Sequence, residues 1–235
     1  MPKTSLFKEL SKKGFAPAHV AEVGVHHPDT SNIYDYIVQG VKCTLVEPDP
    51  ISIGLIKKQF SNYPNVTLHE VAIYEHSGRL EMVQRSASTF VSALQNSPAI
   101  INDNYTVQDA DKLVVEARTF DQIDDGSIDL LSIDVEGSEW YVIKNMVSRP
   151  AVISLETHGG VYVNPFLAQI MDWMESHHYA IWYKTKSDTV FVEGAKIKIS
   201  IGDKLKLVAV NCQLSLRRLR KRLKRKLLSS KTNEG

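Results

Sequence analysis

The sequence predicts an α/β domain built on a doubly wound, mostly parallel sheet with an antiparallel edge strand. Three observations carry that expectation. Short apolar runs alternate with amphipathic segments from His19 to Val192, and strands that alternate with helices make parallel sheets covered on both faces. The runs at 19–25, 128–134 and 151–156 are apolar with little polar alternation, as strands buried on both faces are. The last two runs, 179–183 and 189–192, are joined by a short polar link, which suits an antiparallel hairpin at one edge.

Taken in order, residues 1–18 form an N-terminal helical extension, and a domain of 19–213 follows. Its first strand is 19–25 (HVAEVGV), and a short helix occupies 31–39. Residues 42–47 (KCTLVE) are the second strand. Asp49 and Pro50 supply a cap and a first helical position, and Leu55, Ile56 and Phe60 give that helix its apolar face. Residues 66–73 form a third strand, 80–83 and 113–117 two more, and the polar stretch 85–108 between them reads as a loop, a candidate substrate lid containing Ser86, Ser88 and Thr89. Residues 128–134 (IDLLSID) form the next buried strand, followed by a helix over 138–147 that stops near Pro150. The strand at 151–156 leads to a helix opened by Asn164 and Pro165, with Phe166, Ile170, Trp173 and His177 on one face.

Bulk properties narrow the class. A chain of 235 residues with 43% hydrophobic and 23% charged residues can bury one sizeable core. Cys43 and Cys212 are too few to staple it and have no cysteine neighbours for a metal motif, so a reducing compartment is expected. The N-terminal residues lack the apolar core of a secretory signal, and no apolar run reaches the roughly 20 residues of a membrane span. The expectation is a cytoplasmic protein, or one peripheral to a membrane.

In open α/β sheets ligands bind beyond the carboxyl ends of the strands, so the residues after each strand matter most. Gly24 follows the first strand, where a missing Cβ lets a ligand approach the backbone. The stretch from Gly24 to Asp29 has no G-x-G-x-x-G turn, which disfavours NAD or FAD as ligand. Glu47 ends the second strand, 23 residues beyond Gly24, where a carboxylate can accept both hydroxyls of a ribose; the alternative is a solvated loop acid. Asp134, Glu136 and Glu139 cluster after the most apolar strand, and such clustering is costly unless something is bound. Ser138 and Glu139 also suit the cap of the next helix. Glu156 and His158 follow the adjacent strand. A histidine beside carboxylates can act as a general base, or hold a divalent metal ion with Asp134 and Glu156, or be purely structural.

Together these segments resemble the FkbM family of S-adenosylmethionine-dependent methyltransferases, over roughly residues 19–192. The strongest piece is DLLSIDVEGSEWYVIKNM at 129–146, with VEPDP at 46–50, NVTLHEVAI at 65–73, LVVEARTFDQI at 113–123 and VISLETH at 152–158 in the same order and spacing. The family's first motif reads like D-x-G-A-N-x-G-x-x-S; here Glu22, Gly24 and Ser31 fall in register, while Val25, His26 and Pro28 depart from it. The resemblance implies a Rossmann-like class I methyltransferase fold and O-methylation of a sugar, glycan or natural product. It implies a cofactor, S-adenosylmethionine, held at its amino-acid end by Glu22, Gly24 and Ser31, at its ribose by Glu47, and near its adenine by Asp49, Ala72 and Ile73. Asp134 stands among both the cofactor-binding and the catalytic candidates. His158, or else Glu136, is the candidate base, with Asp134 and Glu156 orienting it or sharing a metal ion with it. The departures in the first motif leave an inactive S-adenosylmethionine-binding module as an alternative.

The remaining segment, 214–235, is a basic amphipathic tail. It holds nine Lys and Arg against one acid, Glu234, a net +8 that leaves −7 on the rest of the chain. Leu216, Leu219, Leu223 and Leu227 recur at helical spacing. Such a helix over 214–228 suits an anionic membrane surface, docking on the acidic body, or an RNA-methyltransferase role through phosphate contacts. No aromatic residue interleaves with the charges, so nucleic acid is the weaker expectation. The expected partner is a small-molecule or glycan acceptor.

Overall fold

A computed structural model describes residues 4–85, 88–103 and 105–232, the side chains of 103, 218 and 222–232 lying outside that description. The N-terminal helix α1 (Ser5–Lys12) is capped by Thr4, whose hydroxyl accepts from the amide of Phe7, and it buries Leu6, Phe7 and Leu10. Strand β1 (His19–Val23) is wholly buried. A 3-10 turn (Pro28–Thr30) follows, and the short helix expected over 31–39 is α2 (Tyr34–Val38). Strand β2 (Lys42–Val46) leads into α3 (Pro50–Gln59), where Asp49 caps the helix and Pro50 takes its first position.

The run expected as one strand over 66–73 is divided. Strand β3 (Val66–His69) pairs with β2, while β4 (Ala72–Ile73) turns away into a second sheet. There follow β5 (Gly78–Gln84), β6 (Thr89–Val91), α4 (Pro98–Asp103) and β7 (Lys112–Arg118). The stretch read as a polar loop over 85–108 therefore contains a strand and a helix; Ser86 lies outside the described residues. Strand β8 (Leu130–Ile133), α5 (Glu139–Lys144), β9 (Val152–Glu156), α6 (Leu167–Ser176), β10 (Tyr179–Lys184), β11 (Asp188–Glu193) and α7 (Ile201–Thr232) complete the chain. Helix α7 runs unbroken through residue 214.

The main sheet has seven strands in the order β10-β11-β9-β8-β1-β2-β3. Pairings among β3, β2, β1, β8 and β9 are parallel; β11 runs antiparallel between β9 and β10. Successive residues of the central strands feed opposite faces, as the twofold period of a strand requires. Val20, Leu130 and Val152 pack with α1, α2 and α3, whereas Ala21, Leu131 and Ile153 pack with α5 and α6. The fold is thus an α/β, doubly wound, mostly parallel sheet. The order reverses direction between β1 and β8, the switch point at which such sheets open a crevice. The smaller sheet, β4-β7-β5-β6, stands over that crevice.

Candidate functional site

The crevice is a cleft enclosing about 860 Å³, open water at its mouth included. Its walls come from the ends of β1, β2 and β8 and from the small sheet. Glu22, Gly24, Glu47, Ala72, Ile73, Asp134 and Glu136 all line it.

Glu47 is 3% exposed. Its two oxygens accept the amide of His26 at 2.7 Å and that of Asp49 at 3.0 Å, so its carboxylate is fixed from behind while it forms cleft wall. Burial raises its pKa, and the amides oppose the rise. Glu22 is tied by the Ser31 hydroxyl at 2.5 Å and the Asn32 amide at 2.9 Å, and burial pushes it up to about 7. Ser31 therefore acts on the site through Glu22, while Thr30 and Asn32, which the sequence reading passed over, form wall directly.

Gly24 adopts φ +83°, and a Cβ there would lie 1.8 Å from the Asp134 carbonyl oxygen. Close approach of backbone to backbone requires the glycine, independently of any ligand. Two residues on, His26 has φ +51°, a left-handed conformation in which Asn, Asp and His are enriched.

Asp134 sits in the cleft floor, open to its water yet walled by protein atoms. That crowding, then the neighbouring carboxyls of Glu136, Asp188, Glu139 and Glu22, raises its pKa well above the usual carboxylate value. Glu136 is held at φ +54° beside Gly137, a strained backbone for a non-glycine residue. Glu139 is fully buried, accepts the amides of Val135 at 3.3 Å and Gly137 at 3.2 Å, and receives the side-chain amide of Asn164. It braces the acidic turn from below, the helix-end role its sequence position suggests.

Besides Ser31, three candidates stand outside the cleft wall. Asp49 spends its oxygens on the start of α3, accepting the Ile51 amide and the Ser52 hydroxyl, each at 3.0 Å, and the Gln84 amide. It lines a neighbouring groove with Gln84 and Tyr105. Glu156, half-buried, is pushed up to about 10 by burial and then by Asp134, and its Oε2 has no hydrogen-bond partner among the described residues. His158 is 3% exposed. Its Nε2 lies 3.3 Å from the Thr185 carbonyl and its Nδ1 2.7 Å from the Thr157 hydroxyl, which assigns the proton to Nε2 and makes Nδ1 an acceptor. Both ring nitrogens are turned into the β9–β11 end of the sheet. Among the described residues no group of three or more His, Cys, Asp or Glu side chains converges to hold a metal ion, so Asp134, Glu156 and His158, the candidates for sharing one, are not brought together for it.

The apolar wall is Val46, Val71, Ala72, Ile73, Met82 and Val91. Met82, Thr89 and Val91 come from the small sheet, and only Thr89 had drawn attention in the sequence. The Thr89 hydroxyl is buried in that wall without a partner among the described residues. An apolar wall with a hydroxyl, next to a fixed carboxylate, could hold an adenosine, the base against the wall and the ribose diol on Glu47.

The sequence model described as the Methyltransferase FkbM domain matches residues 22–181. No curated protein matches the chain significantly. Among solved structures, a precorrin-6y C5,15-methyltransferase from Geobacter metallireducens GS-15 is 14% identical, over 79% of this chain and 84% of that one, with a TM-score of 0.41. The N-methyltransferase NodS from Bradyrhizobium japonicum WM9 is 10% identical over 80% and 90% of the two chains, TM-score 0.41. TrmK of M. capricolum, in complex with S-adenosyl-homocysteine, is 12% identical over 84% and 69%, TM-score 0.39.

Proposed function

The chain belongs to the FkbM methyltransferase family, and from that premise we propose that this S-adenosylmethionine-dependent methyltransferase methylates a hydroxyl of a sugar, glycan or natural-product acceptor. The observation that carries the reading is the pairing in one cleft of the clamped Glu47 carboxylate with the acidic turn Asp134–Glu136. When bound, S-adenosylmethionine supplies an electrophilic methyl carbon on a positively charged sulfur.

The chain's own residues do the rest. Glu47 accepts the ribose hydroxyls, since two backbone amides already hold its oxygens in place. Val71, Ala72, Ile73 and Met82 exclude water from the adenine, and Thr89 satisfies a polar edge of it. Glu22, fixed through Ser31 and Asn32, shapes the amino-acid end. Asp134 accepts the proton as the acceptor oxygen attacks, and Glu136 orients that hydroxyl. Burial, and then the neighbouring carboxyls, raise the pKa of Asp134; an added positive charge favours its carboxylate form.

Calorimetric titration with S-adenosylmethionine and S-adenosylhomocysteine tests the cofactor site. Micromolar binding is expected for the wild type, and Glu47→Ala should weaken it at least about tenfold, the loss of a buried charge-assisted contact. Equal affinity in the variant would overturn the ribose assignment. Transfer of a labelled methyl group to a panel of sugars, with the methylated atom assigned by NMR, tests the acceptor; labelling at nitrogen or carbon alone would overturn O-methylation.

A further inference from the structure

Helix α7 carries two apolar faces. Leu207, Val210 and Leu214 are half-buried, on the side that packs against β10. Asp203 on the same side pairs with Lys13 of the α1 end at 2.6 Å. The opposite side presents Ile201, Leu205, Val208, Leu216 and Leu219, from 54% to 79% exposed, with exposed Cys212 between them. Their spacings of three and four residues put them on one stripe. A row of five large exposed aliphatics on one helix is unusual for a surface in water. No helix among the described residues is long and apolar enough to cross a membrane.

Charge identifies the cover. Lys204, Lys206 and Arg220 are exposed and flank the stripe by their helical positions. The segment from Leu214 onward carries a net +8. A second copy packed on this face would bring two such segments together, against strong like-charge repulsion. Nucleic acid would use the lysines and arginines and leave the aliphatic row without a role. An apolar strip between basic flanks matches the acyl boundary and anionic headgroups of a lipid surface.

We propose that the outer face of α7 seats this protein on an anionic lipid bilayer. The inner face fixes which end of the molecule meets the lipid. A Cβ at Gly160 would lie 2.8 Å from Lys221 Nζ, and Leu214 and Arg217 border a small hollow with His158 and Gly159. The docked helix is therefore braced against the loop that follows β9, beside the acidic end of the cleft. An acceptor hydroxyl carried at the bilayer surface would meet the site without leaving the lipid.

Flotation of the full chain with vesicles tests this. Equal parts phosphatidylglycerol and phosphatidylcholine are compared with pure phosphatidylcholine, at low salt and at about 0.5 M salt. The expected result is flotation with the anionic vesicles only, weakened by salt. The variant Leu205→Gln/Val208→Gln/Leu216→Gln keeps the charge and alters only exposed positions. It should partition about tenfold less or weaker still, with unchanged circular dichroism and unchanged S-adenosylmethionine affinity. No flotation of the folded wild type at low salt would overturn the proposal. Equal flotation of the variant would overturn it too, reducing the effect to charge adsorption. So would light scattering that finds a stable dimer made monomeric by the variant. Because lipid binding is read without turnover, its failure and a failure of the proposed methylation are separable.

Discussion

Gly24 shows how one residue can be required twice. It lines the cleft, yet the Asp134 carbonyl, 1.8 Å from where its Cβ would be, already forbids any side chain there. Gly24→Ala should cost about 3 kcal/mol or more, from overpacking against backbone and from a left-handed φ. Urea denaturation measures it, and a loss below about 1 kcal/mol would contradict the close approach. Asp134 and Glu22 give a pH prediction. Both pKa values are raised, Glu22 to about 7, so near neutrality the empty cleft retains protons that an unperturbed carboxyl would have lost. A cation entering the cleft lowers those pKa values and expels protons. Affinity for S-adenosylmethionine should then rise from about pH 6 to about pH 8, by up to tenfold per pH unit for each proton released. S-adenosylhomocysteine, with a neutral sulfur, should show a flatter profile; identical profiles by calorimetry would remove Asp134 from the sulfonium's surroundings.

At the scale of elements, the end of β9 is where residue type left two readings open. A histidine after a strand beside carboxylates resembles a base, but His158 is locked between Thr157 and the Thr185 carbonyl. His158→Ala should lower stability by about 1–3 kcal/mol by taking the donor from the Thr185 carbonyl and leaving the Thr157 hydroxyl with Thr189 alone, with S-adenosylmethionine affinity unchanged. Unaltered stability together with lost turnover would restore the catalytic role. The run 66–73 illustrates a different limit. Its apolar pattern continues through the point where the chain leaves β2 for β7, because periodicity reports which residues are buried and not which strand they pair with. By contrast, Asp49 and Pro50 at the start of α3 were legible, since a cap is satisfied within its own turn.

For the whole molecule, the cleft lies between two sheets, so a ligand filling it joins them. At a free concentration of about 100 times its dissociation constant, S-adenosylmethionine should add about 2.7 kcal/mol to stability. For a chain of this length that raises the melting temperature by roughly 5–10 °C. Differential scanning calorimetry with and without ligand measures it, and Glu47→Ala should remove about half of the shift or more. A full shift in the variant would mean that the ligand stabilises the protein from another site.

The sequence by itself determined the alternation of strands and helices, the carboxyl-end positions of Glu22, Gly24, Glu47 and Asp134, and the family. These are local or strictly ordered features: burial period, capping residues, and the distance along the chain from strand to strand. It also held the basic composition of the tail. Only the tertiary structure decided that Asp49 and His158 face away from the cleft, that Met82, Thr89 and Val91 close it, and that α7 leaves an aliphatic row uncovered. Which way a side chain points at a strand end, and which side of a helix is buried, depend on groups tens of residues distant. Those contacts are set by the packing of two sheets, and no local pattern encodes them.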